Sequence, residues 1–182
     1  MGPARHQGRR LSDTLPVLPD ILEPGLDSVF CGSAAGTVSA RKGSYYAGPG
    51  NKFWPTLHAM GLTPRLLKPE EFRTLPDYGL GLTDMTKHAS GSDASLPKDS
   101  DDPEALRGKI ERYHPRLLAF VGKRAAQVWF SHFHGNAQVA YGLQEETAGE
   151  TALFVLPSPS GLAVRYWDEA PWRELAAMVR GL

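Results

Sequence analysis

LLAFVGKRAAQVWF, Leu117–Phe130, is the stretch whose reading decides the fold. Leu117–Val121 is apolar at every position, with no alternation, and such a run reads as a strand buried on both faces rather than one half in water. Gly122 ends it, and Lys123–Phe130 takes helical spacing. A buried strand that feeds through a glycine into a helix is the building unit of an α/β sandwich with a largely parallel sheet.

The same unit recurs on both sides of this stretch. Leu26–Cys31 (LDSVFC) is an apolar run ending in Gly32-Ser33-Ala34-Ala35-Gly36, Tyr78–Thr83 is a short strand, and Leu153–Leu156 (LFVL) is the last, ending in PSPSG. Helices are expected over Asn51–Met60, from Lys68 to Phe72, over Pro103–His114 and over Pro171–Arg180. Three of the four expected strands therefore end in loops of small residues (GSAAG, VGK and LPSPSG), and in parallel sheets ligands lie beyond the carboxyl ends of the strands.

Composition narrows the function classes. The chain has 182 residues, 20 basic and 20 acidic, so its formal net charge is zero and an anionic partner would have to be met by a local surface. Basic residues gather at Arg5, Arg9 and Arg10, at Arg41-Lys42, at Lys123-Arg124 and between Arg173 and Arg180. Cys31 is the only cysteine, which leaves no disulfide and no cluster of cysteine ligands for zinc or iron–sulfur. No apolar run approaches the roughly 20 residues that cross a bilayer, and no signal-peptide core is present. The expectation is a cytoplasmic monomer with no membrane contact. Residues 1–19, rich in Pro, Arg, Gly and Ser, read as a flexible lead-in to a single domain over 20–182.

One segment resists an ordinary structural reading. Gly43–Trp54, GSYYAGPGNKFW, has too many glycines and prolines for a helix or strand and too many large aromatics for a plain surface loop. It must be a loop of specific shape, with Phe53 and Trp54 anchoring it in the core.

The order of segments completes the reading. DILEPGLDSVFCGSAAG, YAGPGNKFW, GLTDMTKHASGSDASL, LLAFVGKRAA and VLPSPSGL, from about Asp20 to the C-terminus, resemble the uracil-DNA glycosylase superfamily. Within it the chain is most similar to the mismatch-specific uracil-DNA and thymine-DNA glycosylases and their hypoxanthine-acting relatives. The resemblance implies a three-layer α/β/α sandwich with a central, mainly parallel four-stranded sheet. It further implies that uracil, and other deaminated bases such as hypoxanthine or xanthine, are flipped out of DNA and cut from the sugar without metal or cofactor, leaving an abasic site.

The resemblance also assigns residues. Tyr46 matches the aromatic on which the family stacks the flipped base, a contact worth about 1–3 kcal/mol, while Tyr45 is better read as packing. Where the mismatch-specific and thymine-acting enzymes have Gly-Ile-Asn-Pro-Gly, with the asparagine positioning water, this chain has Gly32-Ser33-Ala34-Ala35-Gly36, and Ala34 has no polar group for that task. Two residues are candidates to replace it. Asn51 matches an asparagine of the hypoxanthine-acting relatives, with a helix cap as its alternative reading; Asp84 in GLTDMTK could activate water and offset positive charge on the sugar, with a turn or cap role as the alternative. Ser33 and Ser39 are expected to donate to the base or a phosphate, and the small Ser33, Ala34 and Ala35 suggest a roomy pocket. Leu162 matches the wedge that fills the gap left by the flipped nucleotide, Ser158 stands where relatives have Asn or His, and Ser160, Gly161 and Arg165 are expected at the DNA backbone. No lysine occupies a nucleophile position, which implies a monofunctional enzyme. His132 and His134 read as surface. The rival reading is a lesion-binding protein that holds a flipped base without excising it.

Overall fold

The computed structural model describes residues 15–181. In chain order these form β1 (Ser28–Gly32), α1 (Thr37–Lys42), α2 (Phe53–Ala59), a long 3-10 segment (Pro69–Tyr78), β2 (Leu80–Asp84), α3 (Pro103–Tyr113), β3 (Leu117–Val121), α4 (Lys123–His134), β4 (Gly142–Ala148), β5 (Thr151–Leu156) and α5 (Ala170–Gly181). The strands make one sheet in the order β2-β1-β3-β5-β4.

The apolar runs sort their side chains onto both faces of this sheet. Phe30, Leu80, Leu82, Leu117, Ala119 and Val121 pack on one side with Phe53 and Leu57 of α2 and Trp172 and Leu175 of α5. On the other side Val29, Cys31, Leu118 and Phe120 pack with Leu106 and Ile110 of α3 and Ala126, Trp129 and Phe130 of α4. Alternate residues of each strand thus bury into opposite layers, which is why no polar alternation marks them. The result is the expected three-layer sandwich.

The sheet has five strands rather than the expected four. The four strands read from apolar runs are parallel to one another, and β4 is added antiparallel to β5 at the outer edge. Its sequence, GLQEETA, is mostly exposed, so no apolar run betrays it. Gly149, at φ 61°, helps turn β4 tightly into β5.

Of the lead-in expected over residues 1–19, residues 1–14, with Arg5, Arg9 and Arg10, lie outside the described residues. Val17 and Leu18 are packed against the core. Leu18 is 1% exposed, the Val17 N–H donates to the Lys87 carbonyl, and the Pro19 carbonyl accepts from Tyr45 Oη. The packed chain therefore begins before Asp20. Among the described residues, no helix is long and apolar enough to cross a membrane.

Candidate active site

β1 and β2 run in register, and their last residues, Gly32 and Asp84, are partners. Beyond them the two loops stay zipped together, because Met85 N–H donates to the Gly32 carbonyl at 2.8 Å and Thr86 N–H to the Ser33 carbonyl at 2.7 Å. Gly32 is there because nothing larger fits. A Cβ at this position would stand 2.9 Å from Asp84 Oδ1 and 3.2 Å from Tyr46 Oη. A carboxylate oxygen and a phenol thus converge on the same side of one glycine.

Asp84 is 5% exposed. Burial pushes its carboxyl up from 3.8 to about 6, against the lowering pull of Lys87, and the negative Asp20 adds to the rise. Lys87 Nζ lies 3.6 Å from Asp84 Oδ2, 2.9 Å from Asp20 Oδ1 and 3.1 Å from Tyr45 Oη. Asp20 is held in turn by Lys109 Nζ at 2.7 Å and by the Thr83 hydroxyl at 2.7 Å. Burial raises the Asp20 carboxyl, but Lys87 and Lys109 together outweigh it and hold it below its usual range. Two neighbouring carboxylates are therefore pushed in opposite directions by their surroundings, a pattern that marks acid–base sites.

The aromatic loop divides its two tyrosines between core and site. Tyr45 is 2% exposed and its backbone carbonyl accepts from Trp54 Nε1, so it locks the loop to α2. Tyr46 is half-buried, with φ at 53°, a left-handed conformation that costs a bulky residue energy and is found where structure serves function. Its ring lies against Phe53 with centroids 3.9 Å apart and planes 23° from parallel, and its hydroxyl is buried without a hydrogen-bond partner. Desolvation raises that phenol far above its ordinary range, so it stays protonated as a donor.

Asn51 stands one residue before Lys52, the N-cap of α2, and its Oδ1 accepts from the N–H of Phe53, the first helical residue, at 2.9 Å. This fixes the side chain through its oxygen and leaves the Nδ2 hydrogens as the donating half. Ser39 sits behind the loop rather than in it, 5% exposed, with its hydroxyl accepting from Ala47 N–H. Ser33 and Ala34 are half-buried on the loop that follows β1.

The loop after β5 docks on the aromatic loop. Lys52 N–H donates to the Pro159 carbonyl at 2.8 Å, and a Cβ at Gly161 would meet the Pro49 carbonyl at 2.8 Å. Ser158 and Ser160 shape the turn, their hydroxyls accepting from Ser160 N–H and Leu162 N–H. Leu162 projects from it, 91% exposed, and Arg165 follows on a short, exposed 3-10 turn. With the exposed Val164 and Tyr166 that follow it, Leu162 gives this segment an apolar surface suited to contact a partner.

The structure thus brings Asp84 and Tyr46 together across Gly32, and brings Asn51, Ser158, Ser160, Gly161 and Leu162 together where the second and last loops meet. Ser39 joins neither group. The sequence reading missed Asp20 and Lys109 as partners of the Asp84 region; Lys87, three residues from Asp84, carried the one local signal. His132 lies on the surface, paired with Glu104. Among the described residues, no group of three or more His, Cys, Asp or Glu could hold a metal ion.

A three-layer sandwich with a buried carboxylate at the carboxyl end of a parallel strand is an α/β architecture of the class that binds ligands along that edge. A family model described as the uracil DNA glycosylase superfamily matches residues 19–178, and the chain belongs to that superfamily. Its fold is similar to the solution NMR structure of a candidate uracil DNA glycosylase from Methanosarcina acetivorans, with a TM-score of 0.60 and 24% identity over 90% of this chain and 95% of that one. Membership supports a DNA glycosylase, a hydrolase acting on DNA.

Proposed function

We propose that the protein is a monofunctional DNA N-glycosylase that removes uracil, and with it other deaminated bases such as hypoxanthine or xanthine, acting as a monomer in the cytoplasm. Within the superfamily its motifs support placing it with the mismatch-specific, thymine-acting and hypoxanthine-acting branches. The observation that carries the reading is the buried Asp84 carboxylate, raised to about 6 and converging with Tyr46 on Gly32 at the end of the parallel strands.

The chemistry follows from charge. A base leaves the sugar with the bonding electron pair, positive charge builds at C1′, and water completes the displacement by attacking that carbon. Asp84 is mostly ionised at neutral pH, so it accepts the proton of that water and offsets the positive sugar. Tyr46 stacks the flipped base, and the Nδ2 hydrogens of Asn51 donate to the base oxygen as it gains charge. Leu162 fills the gap in the duplex, and Ser158, Ser160, Gly161 and Arg165 hold the backbone. Ala34, Ser33 and Ala35 leave room for more than one base.

Single-turnover release of free base from duplexes containing uracil, hypoxanthine or xanthine tests this reading. Release of uracil, with at least one of the purines, is the expected result. The missing amide at Ala34 favours the second reading, a lesion-binding protein. Tight binding of the uracil duplex with no base released over hours would establish that one instead.

A further inference from the structure

The buried charges around Asp84 form a chain that continues away from the strand ends. Lys87 Nζ, on a side chain 11% exposed, lies between Asp84 Oδ2, Asp20 Oδ1 and Tyr45 Oη. Asp20 comes from the segment before β1, Asp84 from the end of β2 and Tyr45 from the aromatic loop, so three separate elements meet at one ammonium, while Lys109 of α3 holds Asp20 by its other oxygen. Burying a lysine this far is costly unless its charge has work to do or partners to satisfy it. The partners are unequal: Asp20 is the closer by 0.7 Å, taking 2.9 Å against 3.6 Å.

Resting on the glycosylase reading, we propose that Lys87 is a positioning residue for Asp84, and that Asp20 sets its influence by competing for the same ammonium. Lys87 holds the carboxylate by its Oδ2 and thereby leaves Oδ1, the oxygen beside Gly32 and Tyr46, aimed at the reacting water. Asp20 draws the ammonium away, so that Asp84 is not neutralised by a tight ion pair and keeps the basicity its burial confers. Lys109 and the Thr83 hydroxyl, both on Asp20, fix the competitor in place. Losing the competitor would lower the Asp84 carboxyl, and losing Lys87 would raise it.

Among the described residues, six titratable groups face Asp84. Lys87 lies on its own loop, Asp20 on the N-terminal segment, Lys109 on α3, Tyr45 and Tyr46 on the aromatic loop and Cys31 on β1. Burial keeps Cys31, Tyr45 and Tyr46 protonated through the neutral range. Only Lys87, Asp20 and Lys109 bring charge, and Lys87 lowers the Asp84 carboxyl whereas Asp20 raises it.

Opposite signs make the proposal testable. The full chain, labelled with carbon-13 at aspartate carboxyls, is titrated by NMR as the intact protein and as Lys87→Met and Asp20→Asn, and uracil release is followed across the same pH range. Lys87→Met is expected to move the Asp84 midpoint, and with it the acidic limb of the release rate, upward; Asp20→Asn is expected to move both downward. Lys87→Arg should restore the midpoint toward that of the intact protein. Midpoints that stay put, or that move the same way in both variants, overturn the proposal. If Lys87→Met fails to fold, the direction of Asp20→Asn alone decides it. The NMR midpoints do not depend on turnover: absence of base release from the intact protein at every pH sinks the glycosylase reading, while release with immobile midpoints sinks only this one.

Discussion

The loop that follows β1 and the loop that follows β2 leave the same edge of the sheet from neighbouring strands in register, yet they are opposite in chemistry. The first, Gly32–Gly36, offers only glycines, alanines and one serine. The second, Asp84–Lys87, carries a buried carboxylate and a buried ammonium. Because Gly32 and Asp84 are paired across the ladder, the two loops start about 5 Å apart, the spacing of adjacent strands, so both open onto the same edge. The bareness of the first loop is what admits the side chain of the second, since any Cβ at Gly32 would collide with Asp84 Oδ1.

The sharpest way to break this contrast is to remove the carboxylate. Asp84→Asn is expected to slow base release by about 100- to 10,000-fold, the usual worth of a general base, read by single-turnover kinetics. Filling the gap comes next. Gly32→Ala is expected to cost about 100-fold in the same assay, because a displacement of this order misaligns the reacting groups, and to destabilise the fold by about 1–3 kcal/mol by overpacking.

The contrast also has a stability signature. The Asp84 carboxyl is raised from 3.8 to about 6 on folding, so between those values the folded chain holds a proton that the unfolded chain has lost. Its contribution to stability falls as pH rises through that window and stays unfavourable above it. Asp84→Asn is therefore expected to raise the melting temperature relative to the intact protein at neutral pH, with the advantage vanishing below the ordinary aspartate range, as thermal denaturation across pH would measure. The smallest effect belongs to Leu162. Its side chain is 91% exposed, so Leu162→Ala should change stability by less than about 0.5 kcal/mol while weakening binding to a uracil duplex, measured by fluorescence anisotropy.

How far the sequence could be read follows the same division between apolar and polar regions. Strands buried on both faces announce themselves, and β3 occurs at the bounds its apolar run marks, Leu117–Val121. β4 is an edge strand whose side chains mostly face water, and α1 has six residues with only Ser39 buried, so neither carries a period to find. In the site, Asp84 and Tyr46 were picked out by the resemblance of GLTDMTK and YAGPGNKFW to the family's motifs. Their setting was not: Asp20 is brought to Lys87 from 67 positions away by the packing of the N-terminal segment along β2, where Ile21 bridges Leu82. Asn51 shows the limit in another way, since the sequence allowed it to be a cap or a polar contact, and only the structure shows its Oδ1 engaged with Phe53 N–H.

Whether the chemistry resides on the loop after β2 rather than on the loop after β1 is tested most directly by comparing Asp84→Asn with Asn51→Ala for single-turnover uracil release and for duplex binding. The account predicts that Asp84→Asn binds the uracil duplex as the intact protein does but nearly abolishes release, whereas Asn51→Ala loses less. Undiminished release by Asp84→Asn, with release abolished in Asn51→Ala, would contradict it and put the water on the aromatic loop.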